Sequence, residues 1–155
     1  RQLDRSINEL CQYRYPEAQQ LQTVTGVGPL TALAYILTIE DRNRFSKSRQ
    51  VGAFLGLTPR RDQSGQSDKQ LPITKAGNCY LRQLLVSCAQ YVLGPFGPDS
   101  DLRRFGLSIA ARGGKNAKKR AAVAVARKLA VLLHRIWLSG EDYQPFYQRR
   151  LSRAA

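Results

Sequence analysis

Ser64 stands beside a glycine in the middle of a polar stretch that is rich in cations. Arg60 and Arg61 precede it, and Lys75 and Arg82 follow it. A serine that attacks a phosphodiester needs exposure, a backbone that admits the phosphate and cations that stabilise the charge developing on phosphorus. The planar guanidinium of arginine suits two phosphate oxygens at once. The stretch therefore makes Ser64 a candidate nucleophile and the four cations candidate stabilisers of the transition state.

The same stretch also has a purely structural interpretation. A serine in a polar loop usually serves the fold, and Asp62 and Asp68 flank this one, where they can pair with the arginines. Ser67 shares the loop but lacks a following glycine, and Ser87 falls in a helical pattern, where capping or packing is the simpler role. Residue chemistry alone leaves both interpretations open.

A second candidate site is the turn formed by Gly26, Val27 and Gly28. The sequence predicts a short helix from Pro16 and a second helix that begins at Pro29, so the turn has the form of a helix-hairpin-helix. Glycines let the backbone approach a phosphate, and the amides at the next helix N-terminus point towards the anion. The three turn residues are therefore candidate nucleic-acid contacts. The alternative is a plain helical hairpin whose glycines serve steric needs.

A third candidate site is the basic start of the predicted last helix, from about residue 116 to 138. The cluster of Lys115, Lys118, Lys119 and Arg120 follows a Gly-Gly pair, and Arg127 continues it one heptad later. One face of this helix is apolar, so the cations predict a stripe that faces away from the core and contacts phosphates. The alternative is an ordinary solvated face.

The remaining residues with reactive side chains indicate structural roles. His134 belongs to the same heptad series and is expected at the surface or in a cap, and Trp137 is expected in the core. Cys11, Cys79 and Cys88 form no CxxC pair and are interpreted as buried small hydrophobic residues. The sequence therefore indicates no disulfide and no metal site.

The composition indicates a polyanionic partner. The 155 residues include 25 Lys and Arg against 11 Asp and Glu, for a net charge of +14, and 43% of them are hydrophobic. So large a basic excess favours nucleic acid first and an anionic membrane second. The chain has no apolar run of membrane-spanning length and no secretory signal pattern, so the membrane interpretation recedes.

The predicted fold is mainly α, with a helix-hairpin-helix, further helices and a long basic loop around the serine. Residues 1–15 are expected to end a long, coiled-coil-like connecting helix, and residues 16–93 hold the hairpin and the serine loop. Residues 94–100 form a linker, and residues 101–155 form basic C-terminal helices of the same domain. A third helix is predicted from Ser46, as its N-cap, to Leu55. Because the chain has no methionine and its first helix lacks a clear cap, we expect a C-terminal piece of a longer protein.

Three runs occur in a specific order: "TVTGVGPLTALAYIL" with the following "GLTPRRDQSG", then "ITKAGNCYLRQLL", then "RGGKNAKKRAAVAVARKLA". Together they resemble the C-terminal transposase domain of the bridge-RNA-guided insertion-sequence transposases, relatives of the pilin-inversion recombinases. The resemblance extends over residues 21–143. It implies that Ser64, the serine of the Ser-Gly pair, attacks DNA and becomes covalently joined to it.

The resemblance also implies the surroundings of this reaction. An upstream RNase H-like domain would carry acidic ligands for Mg²⁺, while the present chain would hold no cofactor. The expected partners are DNA, a structured guide RNA, that upstream domain and further copies of the protein, with no membrane. The expected location is the cytoplasm of a prokaryote, at the nucleoid during action. The alternative function is a DNA- or RNA-binding helix-hairpin-helix module without chemistry.

Overall fold

The computed structural model describes residues 1–64 and 67–147, and within 61–64 and 67–70 it describes the main chain alone. This part of the chain contains seven α-helices and a single β-hairpin, which confirms the mainly α fold class. The elements are α1 Gln2–Glu9, α2 Glu17–Leu21, α3 Pro29–Ile39, α4 Gln50–Phe54, β1 Pro59–Ser64, β2 Ser67–Ile73, α5 Cys79–Leu93, α6 Asp101–Ala110 and α7 Ala117–Ser139.

The first helix lies at the edge of the fold. α1 buries none of its residues, and Leu3 is 78% exposed. A π-helical turn, Leu10–Arg14, continues α1 and ends two residues before Pro16. Only Ile7 of α1 packs against the core, so the helix leaves most of its apolar side exposed.

The core is built around α7. Its buried face contacts α5 and α6, and it carries the apolar residues predicted for it, among them Ala121, Val125, Leu129 and Leu133. α6 packs closely because Gly106 has no side chain, since a Cβ there would lie 2.5 Å from a methyl of Val125. No helix in the described ranges is long and apolar enough to cross a membrane.

A buried tyrosine connects the first half of the chain to α7. The hydroxyl of Tyr35, in α3, donates a hydrogen bond to the carbonyl oxygen of Ala130 over 2.6 Å. Tyr35 is fully buried. The bond therefore fixes the position of α3, and of the turn before it, relative to the last helix.

Several boundaries of the later helices lie at residues with capping side chains or at a left-handed glycine. The side chain of Asn78 caps α5 by accepting a hydrogen bond from the amide of Leu81 at 2.8 Å. The hydroxyl of Ser100 caps α6 in the same way, by accepting from the amide of Arg103 at 3.1 Å. α7 ends at Gly140, which has a φ of 72°. Local capping chemistry alone thus places these boundaries.

The prediction of a loop around the serine is wrong. β1 and β2 form an antiparallel hairpin in which Asp62 pairs with Lys69 and Ser64 pairs with Ser67. The sequence hides these strands because polar residues occupy both alternating sets of positions, so no period of two appears. Main-chain hydrogen bonds, which the side-chain pattern does not report, define the hairpin.

The third helix is shorter than predicted, and Ser46 is not its N-cap. α4 begins at Gln50, and its cap position is Arg49. The side chain of Gln50 reaches back instead, and its Oε1 accepts from the amide of Lys47 at 3.1 Å and from the Ser46 hydroxyl at 3.2 Å. These bonds order the turn before α4, and among the described residues no side chain caps the helix itself.

Candidate functional site

The two chain segments at the base of the hairpin cross with no side chain between them. A Cβ at Gly56, which has a φ of 68°, would lie 2.2 Å from the nitrogen of Ala76. A Cβ at Gly77, with a φ of 73°, would lie 2.2 Å from the carbonyl oxygen of Phe54. Only glycine fits at these two positions. We call residues 54–58 and 74–77 the hairpin foot.

Arg82 joins the two sides of the hairpin foot. Its Nη1 donates to the carbonyl oxygen of Leu55 at 3.1 Å and to that of Ala76 at 2.8 Å. The amide of Lys75 adds a main-chain bond to the Gly56 carbonyl at 3.0 Å. Arg82, a sequence candidate for phosphate binding, therefore holds the foot together from α5.

The other cations predicted beside the serine divide between the foot and the strand. Arg60 is exposed, with Nη2 3.5 Å from the Thr74 carbonyl, and Lys75 is exposed with a φ of 58°. A non-glycine residue in this left-handed region costs free energy and often marks a functional position. The side chains of Arg61 and Ser64 lie outside the described residues.

The hairpin separates the foot from the serine. Ser64 is the last residue of β1 and Arg60 lies four positions before it, which in an extended strand is about 14 Å. Lys75 and Arg82 lie beyond the other end of β2. The foot and its cations therefore lie at the opposite end of the hairpin from Ser64.

Sequence analysis missed a cation at the foot. The guanidinium carbon of Arg44 lies 4.7 Å from the ring centroid of Phe54, the α4 residue whose carbonyl faces Gly77. The signal is present in the sequence, because residues 42–49 carry four cations, although the pattern there predicts only a helix start. We call residues 42–49 the basic segment.

His134 is not at the surface, where it was predicted. It is 0% exposed, and its Nε2 lies 2.8 Å from the carbonyl oxygen of Arg42 and its Nδ1 2.9 Å from the hydroxyl of Ser48. Two polar partners distant in sequence allow the imidazole to be buried. Trp137 lies in the core, as predicted.

The predicted basic stripe of α7 is confined to its beginning. Lys115, Lys118, Lys119 and Arg120 are exposed, and Arg120 donates to the carbonyl oxygen of Gly113 at 2.8 Å. Arg127 is half-buried, and its Cγ would lie 3.0 Å from a Cβ added at Gly52 of α4. The stem of Arg127 therefore packs against α4 and His134 is buried, so the stripe is interrupted before the exposed Arg135.

The turn of the helical hairpin offers less to a phosphate than predicted. Val27 is 6% exposed and its amide donates to the carbonyl of Val24 at 3.0 Å, so neither its side chain nor its amide is available. Gly26, with a φ of 88°, packs against Tyr91, where a Cβ would lie 3.1 Å from a ring carbon. A Cβ at Gly28 would meet no atom within 4 Å, so Gly28 keeps the open approach that a phosphate needs.

The three cysteines occupy different environments. Cys11 and Cys88 are buried, as predicted, and burial raises the pKa of each thiol. Cys79, the first residue of α5, is exposed, which corrects its assignment to the core. Within residues 1–64 and 67–147, no three His, Cys, Asp or Glu side chains lie together in a way that could hold a metal ion.

Comparison with known proteins identifies the family. The model of the Transposase IS116/IS110/IS902 family matches residues 18–102, a range that includes the turn, the hairpin and α5. The chain belongs to this transposase family. The matched range also contains the foot glycines and Arg82, so the anchored hairpin is part of the family region.

Two relatives match beyond that range. The transposase for insertion sequence element IS1111A of Coxiella burnetii (strain RSA 493 / Nine Mile phase I) is 36% identical over 83% of this chain and 35% of its own length. The pilin gene-inverting protein of Moraxella lacunata is 31% identical over 77% of this chain and 36% of its own length. This transposase-family chain thus spans about a third of the length of the curated relatives it matches.

Proposed function

We propose that this chain supplies the serine nucleophile of a DNA transposase that cuts and rejoins DNA through a phosphoserine intermediate, guided by a structured RNA. Membership of the transposase family supports the general activity. The position of Ser64 is the observation that carries the finer proposal. Its main chain ends β1, opposite Ser67, at the end of the hairpin farthest from the anchored foot.

The proposed reaction is a pair of transesterifications. The Ser64 hydroxyl oxygen bonds to phosphorus while the bond from phosphorus to one deoxyribose oxygen breaks, and the hydroxyl proton passes to a base. The released sugar oxygen takes up a proton. A sugar hydroxyl of a second strand then attacks the phosphoserine and restores the serine. Each step exchanges one phosphate ester for another, so strand exchange needs no ATP.

The hairpin foot would keep the serine in place during the exchange. Arg82 and the glycines of the foot fix both strands where they leave the helices. Arg60 and Lys75, exposed beside them, would bind phosphates about four or more base pairs from the attacked one. Lys115, Lys118, Lys119 and Arg120 would add contacts with more distant phosphates. These contacts orient DNA without reading its sequence.

The proposed partner domain supplies the remaining chemistry. The resemblance assigns Mg²⁺ and its acidic ligands to an upstream RNase H-like domain, and bound Mg²⁺ would stabilise charge on the phosphate oxygens. The described residues of this chain do not fit a metal site, because no suitable cluster of ligands occurs among them. The base that accepts the serine proton is also proposed to lie in that domain, of the same or a neighbouring subunit.

The test compares three serines in the complete transposase with its guide RNA. Ser64→Ala should abolish strand cleavage and leave DNA binding nearly intact, because one hydroxyl adds little binding free energy. Ser67→Ala and Ser87→Ala are the matched controls and should cleave normally. Cleavage by Ser64→Ala at the normal rate would contradict the proposal.

The charge of the chain favours one alternative function, a nucleic-acid-binding module without chemistry. Its net charge of +14 would suffice for binding. The two functions differ in their covalent product, because a binding module forms no serine–DNA adduct under any condition. The present chain, incubated with DNA and Mg²⁺ alone, should bind without cutting. Cleavage should require the upstream domain.

A further inference from the structure

The basic segment, residues 42–49, presents cations beside the hairpin foot. Arg44, Lys47 and Arg49 are exposed. Among the side chains that the structure describes, no carboxylate forms an ion pair with any of the three. Arg44 stacks on Phe54 at 4.7 Å, which holds the guanidinium in one orientation. The segment is therefore a cationic surface that lacks a partner within the described chain.

One buried imidazole fixes both ends of this segment. The Arg42 carbonyl can only accept, so Nε2 of His134 carries the proton and donates to it over 2.8 Å. Nδ1 forms a second hydrogen bond, with the Ser48 hydroxyl, over 2.9 Å. The side chain of Arg42 adds a bond from Nη1 to the Trp137 carbonyl at 3.5 Å. α7 thus anchors the segment near both of its ends.

Arg42 serves as an anchor rather than as a contact. Its Nη1 is bonded to the Trp137 carbonyl, and it lines a surface hollow with Glu17, Glu40 and Asp41. Arg44, Lys47 and Arg49 follow it in the chain. These three cations remain for a polyanion.

The distance from the serine indicates which phosphates would bind here. The nearest residue of the foot, Thr58, lies six positions before Ser64, which is about 20 Å along an extended strand and corresponds to about six base pairs at 3.4 Å each. Arg44 lies against the foot through Phe54. A DNA backbone that places a phosphate at Ser64 and follows the hairpin would reach the basic segment about six to seven base pairs away.

We propose that the basic segment binds the backbone of duplex DNA about six to seven base pairs from the attacked phosphate, and that His134 is a positioning residue for that contact. The inference rests on the proposed function in taking duplex DNA as the ligand. It concerns binding and register, so binding of uncut DNA tests it separately from the chemistry of Ser64.

The first test uses two double variants with the same change of charge. Arg44→Gln with Arg49→Gln should weaken binding of uncut duplex DNA about tenfold near 0.1 M salt and reduce the slope of log K against log salt by about 2. Arg5→Gln with Arg14→Gln, on exposed positions of the first helical segment, is the control and should retain most of the affinity. Equal losses in both would show that total charge alone matters and would overturn the proposal.

Two further arms test the ligand and the register. A structured RNA of the same length should lose little affinity in the Arg44 and Arg49 variant, and a loss confined to RNA would overturn the choice of DNA. Neutral methylphosphonates placed six to seven base pairs from the cleavage point should weaken binding of the unsubstituted chain but not of the variant. Equal weakening of both by these groups would overturn the register.

The positioning role of His134 is tested through Ser48. Ser48→Ala removes one bond to the imidazole and opens no large cavity, so we expect weaker DNA binding with almost no change in the melting temperature. His134→Gln keeps a donor and an acceptor and should retain more affinity than His134→Phe, with both measured relative to the folded fraction. Unchanged DNA affinity in Ser48→Ala would overturn the positioning role.

Discussion

The guanidinium of Arg82 donates to the carbonyl oxygen of Leu55 over 3.1 Å and thereby joins α5 to the end of α4 across the hairpin foot. The two residues are 27 positions apart in the chain. The bond connects the part of the fold that is buried against α7 with the part that carries the serine. The attachment of the hairpin to the helices therefore depends on Arg82, which the sequence predicts as a stabiliser of the transition state.

Substitutions of Arg82 should show whether its hydrogen bonds or its charge stabilise the fold. Arg82→Ala removes two hydrogen bonds from a charged donor and should lower the free energy of unfolding by about 2–3 kcal/mol, discounted because the side chain is only half-buried. Arg82→Lys keeps the charge but lacks the guanidinium group that donates both hydrogen bonds, so it should recover only part of the lost stability. Urea unfolding of the two variants measures this, and full recovery by lysine would show that charge alone acts at this position.

The foot glycines should tolerate no side chain. Gly56→Ala combines a left-handed φ with a Cβ 2.2 Å from a backbone nitrogen, so it should destabilise the fold strongly or prevent folding. Gly113→Ala is a matched control, because Gly113 has a φ of 73° but open space around it. It should cost about 1 kcal/mol from backbone strain alone. Thermal unfolding compares the two, and equal costs would argue against the close crossing.

Stability should fall in alkaline solution because of Tyr35. Burial raises the pKa of its hydroxyl far above the usual value near 10. Above that pH the unfolded chain releases a proton that the folded chain keeps, so the free energy of unfolding falls by about 1.4 kcal/mol per pH unit. Below a pH of about 10 the contribution of the protonated hydroxyl to the free energy of unfolding is fully present. Urea midpoints between pH 8 and 11 should fall less in Tyr35→Phe than in Tyr80→Phe, the exposed control.

DNA affinity should depend steeply on salt. If some six phosphates are neutralised, log K should fall with log salt at a slope of about −5. Lys118→Gln with Lys119→Gln should reduce the slope by about 2, because both side chains are exposed at the start of α7. Arg120 is a poorer probe, since its bond to Gly113 also supports the turn. A flat salt response would contradict binding by phosphate neutralisation.

Local signals predicted the helical part of this fold well. The face of α7, the Pro29 start of α3 and the Gly140 end of α7 follow from spacing and capping residues. The features that were missed depend on contacts distant in sequence. His134 can be buried because its ring forms a hydrogen bond with a carbonyl 92 residues away. The base of the hairpin depends on the close contact of Gly56 with the backbone of Ala76.

The sequence predicts which residues belong to the candidate site but not how they are arranged in space. Arg60, Lys75 and Arg82 were named from proximity in sequence, and they do gather, but at the foot rather than around the serine. An extended strand puts each residue about 3.4 Å from the last, so four positions become about 14 Å. Arg44 was missed because its neighbour at the foot, Phe54, lies ten positions later.

The most direct test of the central claim is to map the covalent adduct. The complete transposase, with its guide RNA and upstream domain, would be trapped on target DNA, digested and analysed by mass spectrometry. The account predicts a nucleotide attached to Ser64, in the peptide between Arg61 and Lys69, and no adduct in Ser64→Ala. An adduct on Ser67, on Ser87 or on any other residue, or cleavage without an adduct, would contradict it.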